Sequence, residues 1–164
     1  MAQEKTHIVT EPADRTLVMS RVFDAPRALV FAAFTKPEHL THWWGPKGWT
    51  LPFCTVDFRP GGVWHYCMRG PDGEESWGRA VYREIVVPER IVSVDAFSDA
   101  EGNVVAGMPE MVITLTFEEH EGKTTLTNRV QFTTAADVES ALAMGMVQGL
   151  TETWDRLEAY LASV

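Results

Sequence analysis

The side chains able to do chemistry in this sequence are mostly aromatic, and few are nucleophiles or paired acids. Six tryptophans occur in 164 residues. Trp64, Tyr66 and Met68 alternate along one apolar run and share parity with Phe58 across a turn, Tyr82 lies on the next run, and Trp154 sits on the apolar stripe of the C-terminal segment. Trp44 ends a short helical segment, where it is placed to plug the mouth of a space between these rings. Aromatic walls with few polar groups are what a small-molecule cavity needs, although the same rings also serve as plain core. Asn128 is the informative polar residue, because its parity is that of Leu126, Val130 and Phe132. An inward amide requires hydrogen-bond partners or water, so it either ties strands together or orients the polar end of a ligand. The candidate ligand-binding set is therefore Trp44, Trp64, Tyr66, Tyr82, Asn128 and Trp154. An interior with no cavity of about 300 Å³, the lower end for ligand pockets, would remove this reading.

Other chemistries are weakly represented. No Walker loop, Rossmann glycine pattern, H-E-x-x-H or G-x-S-x-G occurs, so no catalytic residue is assigned and no cofactor is expected. His39 and His42 lie three apart on a short helix without a third ligand, so they are expected to face solvent and no metal site is expected. Arg21 has the parity of Leu17, Met19 and Phe23; if that face is inward, Arg21 enters the pocket and can clamp a carboxylate, the alternative being an ion pair at the sheet edge. Glu84 has the parity of Tyr82 and Ala80, and if buried its raised pKa would suit a general acid or base. Asp57 and Arg59 alternate away from the apolar face, as a solvated or turn-stabilising pair.

The composition, with 45% apolar and 23% charged residues, is that of a globular domain. Fourteen basic residues against 23 acids give a net charge of -9, which argues against nucleic acid and anionic membranes. No run approaches the ~20 apolar residues of a membrane span, and Met1 to Arg15 lacks the apolar stretch of a signal peptide. Two cysteines, Cys54 and Cys67, are too few for a disulfide framework or a cysteine-based zinc site, which points to a reducing, cytoplasmic setting.

The elements that must position these groups follow from periodicity. Val138, Leu142, Met146, Leu150, Trp154, Leu157 and Leu161 recur at helical steps, predicting one helix from about Ala135 to Ala162, with Thr134 and Asp137 resembling a capping box. Gly145 and Gly149 inside it mark close packing, a bend, or room for a ligand. Pro26 opens a short helix over residues 27–35, and Pro37 opens another that stops at Trp43-Trp44-Gly45-Pro46. Strands are predicted over residues 16–23, 50–59, 63–69, 76–85, 90–97, 111–119 and 124–132, with Met111, Ile113, Leu115 and Phe117 forming one core face. In the first hairpin a three-residue loop at Pro60-Gly61-Gly62 would pair Arg59 with Val63, Phe58 with Trp64, Val56 with Tyr66 and Cys54 with Met68. That register sends Cys54 and Cys67 to opposite faces, so no disulfide is predicted. Across the second hairpin, Gly78 and Ala80 facing Tyr66 and Trp64 would leave space for a cavity. One strand, two short helices, six strands and a long helix make an α+β layout, with a lead segment over residues 1–15 and a single domain over residues 16–164.

Several ordered motifs carry a resemblance. They are Arg21-Val22-Phe23-Asp24-Ala25-Pro26; Lys36-Pro37-Glu38-His39-Leu40 leading to Trp43-Trp44-Gly45-Pro46; Asp57-Phe58-Arg59-Pro60-Gly61-Gly62; Met68-Arg69-Gly70-Pro71-Asp72-Gly73; and Pro88-Glu89-Arg90-Ile91, closing with Gly149, Thr151, Glu152 and Trp154. From about Thr10 onward the chain resembles the stand-alone AHSA1-type branch of the START/Bet v 1-like (SRPBCC) superfamily. The resemblance implies a helix-grip fold, a curved antiparallel sheet around a long C-terminal helix with two short helices after the first strand. It also implies a pocket between sheet and helix that takes lipids, sterols, polyketides or hormones, and it supplies no shared catalytic set. The family takes its name from activators of the Hsp90 ATPase, which carry a separate N-terminal domain, so a chaperone partner is not supported by the name alone. The leading expectation is a non-enzymatic, soluble binding domain for a small hydrophobic molecule. The alternatives are a cyclase- or hydrolase-like enzyme on aromatic or polyketide-like substrates, with Glu84, Tyr82 and Arg21 as its only candidate groups, and an Hsp90-type cofactor or interaction domain.

Overall fold

The computed structural model describes residues 6–164; residues 1–5 of the expected lead segment lie outside the described residues. The chain begins with strand β1 (Thr6–Glu11), which the sequence reading did not anticipate, because its pattern of one buried and five exposed residues carries no apolar alternation. A 3-10 turn (Pro12–Asp14) leads into β2 (Thr16–Phe23). Helices α1 (Arg27–Ala33) and α2 (Pro37–Trp43) follow, then strands β3 (Thr50–Val56), β4 (Val63–Arg69), β5 (Glu75–Val86), β6 (Arg90–Phe97), β7 (Glu110–His120) and β8 (Lys123–Phe132). The chain ends in α3 (Ala135–Ala143) and α4 (Met146–Ser163).

All neighbouring strands are antiparallel, in the order β1-β2-β8-β7-β6-β5-β4-β3. This is the expected helix-grip architecture, a curved antiparallel sheet against C-terminal helices, with α1 and α2 carrying the chain from β2 near one edge to β3 at the other. Leu17, Met19 and Phe23 of β2 and Leu126, Val130 and Phe132 of β8 are all buried, so the parity read from the sequence is the core face. Trp154 of α4 meets Phe23 edge-on at 5.9 Å, and Leu157 and Leu161 continue the helix stripe into the same core. A second cluster of Leu17, Val130, Phe132 and Val138 seats α3. The guanidinium of Arg156 on α4 donates to the carbonyls of Gly45 (2.9 Å) and Trp49 (3.0 Å), pinning the loop after α2 against that helix.

Two local expectations are corrected. The single helix predicted over residues 135–162 is two helices, because Gly145 takes a left-handed φ of 84°. A helix commonly ends on such a glycine, which has no Cβ to clash; the ladder stops with Gly145 N–H donating to the Leu142 carbonyl and restarts with Gly149 N–H donating to Gly145. Thr134 does cap the first of them, its hydroxyl accepting from the Asp137 amide at 3.1 Å. The first hairpin is shifted by two residues from the predicted register: Val56 pairs with Trp64 and Cys54 with Tyr66. Residues 57–62 form a longer loop, whose Gly61 amide donates to the Tyr82 carbonyl (2.7 Å) and whose Gly62 carbonyl accepts from the Tyr82 amide (3.0 Å), so the glycines pair with β5 rather than close the hairpin. A shift of two preserves the faces. Cys54 and Cys67 accordingly point to opposite sides and are free thiols.

Candidate functional site

The concave face of the sheet and α4 enclose a chamber of about 70 Å³. Trp44 reaches it from the end of α2, Trp64 from β4, Tyr82 from β5, Ser93 and Asp95 from β6, Asn128 from β8 and Trp154 from α4. Five of the six residues named from the sequence thus meet around one space. Tyr66 does not line it. Its ring lies over Gly78, where a Cβ would fall 2.6 Å from the Tyr66 hydroxyl. The expected pairings of Gly78 with Tyr66 and of Ala80 with Trp64 are present, but the room above the glycine is occupied by Tyr66 itself and is no cavity. Trp44 meets Trp64 edge-on at 4.7 Å, and Trp64 lies against Tyr66 at 4.6 Å, so the rings pack on one another and leave only a small void.

A space of about 70 Å³ holds roughly two waters and falls well below a ligand pocket of about 300 Å³. The larger space lies elsewhere. Where α3 meets α4, a cleft of about 410 Å³ opens between Met144, Gly145 and Met146 on one side and Met108, Pro109, Met111 and Phe132 on the other. Met146 lines both chamber and cleft, so the two are neighbours separated by a flexible, unbranched side chain. The sequence reading placed the pocket among the aromatics and offered a bend or room for a ligand at Gly145 as alternatives; the bend is there, and the cleft opens beside it.

The polar groups around the chamber are unusual. The carbonyl oxygen of Asn128 and the hydroxyl of Tyr82 are buried, and neither has a hydrogen-bond partner. The indole N–H groups of Trp44 and Trp64 also lack one; Trp44 lies near the Tyr66 hydroxyl and Trp64 near the Cys54 thiol, neither in bonding geometry. Orphaned buried polar atoms are rare in folded proteins; the two indole N–H groups lie beside Tyr66 and Cys54, outside the chamber lining, which leaves the Asn128 oxygen and the Tyr82 hydroxyl as the orphaned atoms of the chamber. Asp95 completes the group. Its carboxylate accepts a 2.6 Å hydrogen bond from Ser93, and burial pushes its pKa up to about 7, the serine pulling the other way. Protein surrounds it with only partial solvent contact, so the charged form is poorly solvated. Burial and the nearby Asp95 carboxylate likewise push the Tyr66 and Tyr82 phenols upward, so both are neutral. The sequence reading missed Asp95, although it shares parity with Ile91 and Ser93 on its strand, the same signal that singled out Asn128.

Four other expectations resolve. Arg21 is buried, as its parity required, but it faces β1 and α4, outside the chamber lining. It donates from Nε (2.8 Å) and Nη2 (2.6 Å) to the Thr6 hydroxyl, and Nη1 lies 2.9 Å from the Asp155 carboxylate, as an ion pair off hydrogen-bond alignment. The carboxylate clamp is thus replaced by an internal pair. Glu84 is exposed and paired with Arg90, because a bulge between Tyr82 and Glu84 reverses the parity of β5 at that point. His42 is exposed, stacked on Tyr160 at 5.3 Å, and half-buried His39 is hydrogen-bonded to the same tyrosine. Asp57 and Arg59 form an exposed ion pair at 2.9 Å.

Solved structures of the same shape are numerous. A protein from Arthrobacter aurescens superposes with a TM-score of 0.89 at 28% identity, covering 96% of this chain and 92% of its own. Protein Ms6760 from Mycobacterium smegmatis gives 0.86 at 27% identity, covering 93% and 94%. A protein from Staphylococcus epidermidis gives 0.81 at 32% identity, covering 95% and 93%. No curated protein matches the sequence. The family model described as activator of Hsp90 ATPase homolog 1-like protein matches residues 24–162, nearly the whole of the described chain, and this protein belongs to that AHSA1 branch of the SRPBCC superfamily.

Proposed function

We propose that the protein binds a small, mostly hydrophobic molecule between the sheet and its C-terminal helices. The ligand enters by the cleft at the α3–α4 joint and ends against Trp44, Trp64, Tyr82, Asn128 and Trp154, while Tyr66 supports the wall from behind. The observation that carries this reading is a cleft of about 410 Å³ that adjoins, across Met146, a chamber in which the Asn128 oxygen and the Tyr82 hydroxyl lack partners. Met146 stands between the two, and its flexible side chain can yield to an entering chain. Two free thiols suit action in the cytoplasm.

Native mass spectrometry of freshly purified protein, followed by solvent extraction, tests the reading together with an Ala141→Trp variant that fills the cleft. A bound mass, or uptake of an added apolar probe, that the variant loses by about tenfold or more supports it. Uptake unchanged in the filled variant overturns it.

A second reading is favoured by Asp95 alone. A carboxyl with a pKa of about 7 facing a small chamber is suited to move a proton at neutral pH, as a cyclase- or hydrolase-like reaction on an aromatic substrate would require. It predicts turnover that Asp95→Asn abolishes. A surface-acting chaperone cofactor has less support, because the most exposed large apolar side chains, Val9, Val22, Val87, Met144 and Val164, are scattered along the chain.

A further inference from the structure

Hydrogen-bond accounting in the chamber narrows the ligand's chemistry, on the reading that the cleft takes an apolar body. Asn128 presents an unpartnered carbonyl oxygen at 5% residue exposure, and Tyr82 an unpartnered hydroxyl at 3%. Asp95 adds carboxylate oxygens, of which Ser93 occupies Oδ1. None of the lining residues is a lysine, arginine or histidine. Two arginines on or beside the elements that carry the lining are engaged elsewhere: Arg21 of β2, beside β8, with Thr6 and Asp155, and Arg156 of α4 with the carbonyls of Gly45 and Trp49. A negative head group would therefore enter a poorly hydrated space holding an acidic side chain and a bare carbonyl oxygen, with no countercharge. An ether or ketone can only accept, and would leave the Asn128 oxygen unpaired. A hydroxyl both gives and takes. It can donate to the amide or carboxyl oxygen and accept from the Tyr82 hydroxyl. The chamber, of about 70 Å³, suits such a head and no more, leaving the body to the cleft beyond Met146.

We propose that the chamber is a head-group site for the hydroxyl of an otherwise apolar alcohol or phenol, and that it turns carboxylates away. The site discriminates by what each candidate head leaves unpaired. A buried group deprived of its partner penalises the wrong ligand more than the right contact rewards the correct one.

The test is titration of the intrinsic tryptophan fluorescence at about pH 8 with 1-octanol, heptyl methyl ether and octanoate, which are close in length and differ in the head. Trp44, Trp64 and Trp154 ring the chamber and report its occupation. The expected result is 1-octanol binding about tenfold or more tighter than either of the others. Asn128→Leu brings octanol and the ether to within about twofold, while the ether's own affinity holds. Tyr82→Phe, which removes one oxygen and leaves the ring, weakens octanol about threefold and guards against a misfolded Asn128 variant. Equal binding of all three heads, tighter binding of octanoate, or an octanol preference untouched in both variants overturns the head-group site and leaves the apolar cleft standing. If none of the three binds the parent protein, the cleft reading itself fails and takes this proposal with it.

Discussion

Two buried polar residues, Arg21 and Asn128, lie diagonally across the neighbouring strands β2 and β8 on the same inward face, and they differ in their partners. Around Arg21 every guanidinium nitrogen has a neighbour of opposite polarity: Nε and Nη2 bond the Thr6 hydroxyl, and Nη1, without an aligned hydrogen bond, pairs with the Asp155 carboxylate. The Asn128 oxygen and the Tyr82 hydroxyl have no partner. Both regions look alike in sequence, a polar residue at the inward parity of a strand. The difference is that β1 and α4 bring partners to the first, while only a void faces the second. Satisfied buried polarity holds a fold together, and unsatisfied buried polarity waits for a ligand or water.

The contrast breaks most sharply at its ionic ends. Asp155→Ala strips Arg21 of its carboxylate partner and is expected to lower unfolding free energy by about 2 kcal/mol, less than for a fully buried pair because Asp155 is more than half exposed. A shift in the urea midpoint corresponding to under about 0.5 kcal/mol would show that the arginine does not need its charge partner. In the chamber the sign reverses. Asp95 has a folded pKa of about 7, above the ~3.9 of an unfolded aspartate, so the folded chain holds the proton more tightly and ionisation opposes folding. That penalty is absent below about pH 4, grows between pH 4 and 7, and is complete above. Asp95→Asn should therefore stabilise by about 2 kcal/mol at pH 8, with the gain fading toward pH 4, a discount having been made for its partial solvent contact. Thermal or urea unfolding at the two pH values decides it, and a gain independent of pH would refute the assignment. The smallest effect sharpens the comparison furthest. Tyr82→Phe removes a buried hydroxyl that bonds nothing, so stability should hold or rise by up to about 1 kcal/mol. A loss of more than about 1 kcal/mol would mean that the hydroxyl is already paired.

Much of this was legible in the residues. The inward faces of β2, β7 and β8, the two short helices after Pro26 and Pro37, and the cap at Thr134 follow from periodicity and local chemistry, and the family from ordered motifs. What the sequence hid was decided by contacts distant along the chain. β1 is an exposed edge strand whose pattern carries no apolar signal, and it exists because β2 offers a free edge. The orientation of Glu84 was left open by its parity with Tyr82, because strict alternation does not foresee the bulge that turns it to solvent. Tyr66 looked like a pocket wall because Gly78 looked like empty space, whereas the ring is what the glycine accommodates. Asp95 shows the opposite failing. Its parity was as plain as that of Asn128, but a carboxylate on a strand is read first as solvent-facing.

The bulge beside Glu84 also governs how the chain tolerates changes of length. Tyr82 pairs with Ser93 and Glu84 with Val92, so Arg83 is the extra residue of β5. Deleting it would close the bulge and leave Glu84 opposite Val92 and Ile85 opposite Ile91, so each side chain keeps its present face. The bulge thus lets β5 lose one residue at this point without exchanging inside and outside, a change of length that an unbulged strand would not absorb.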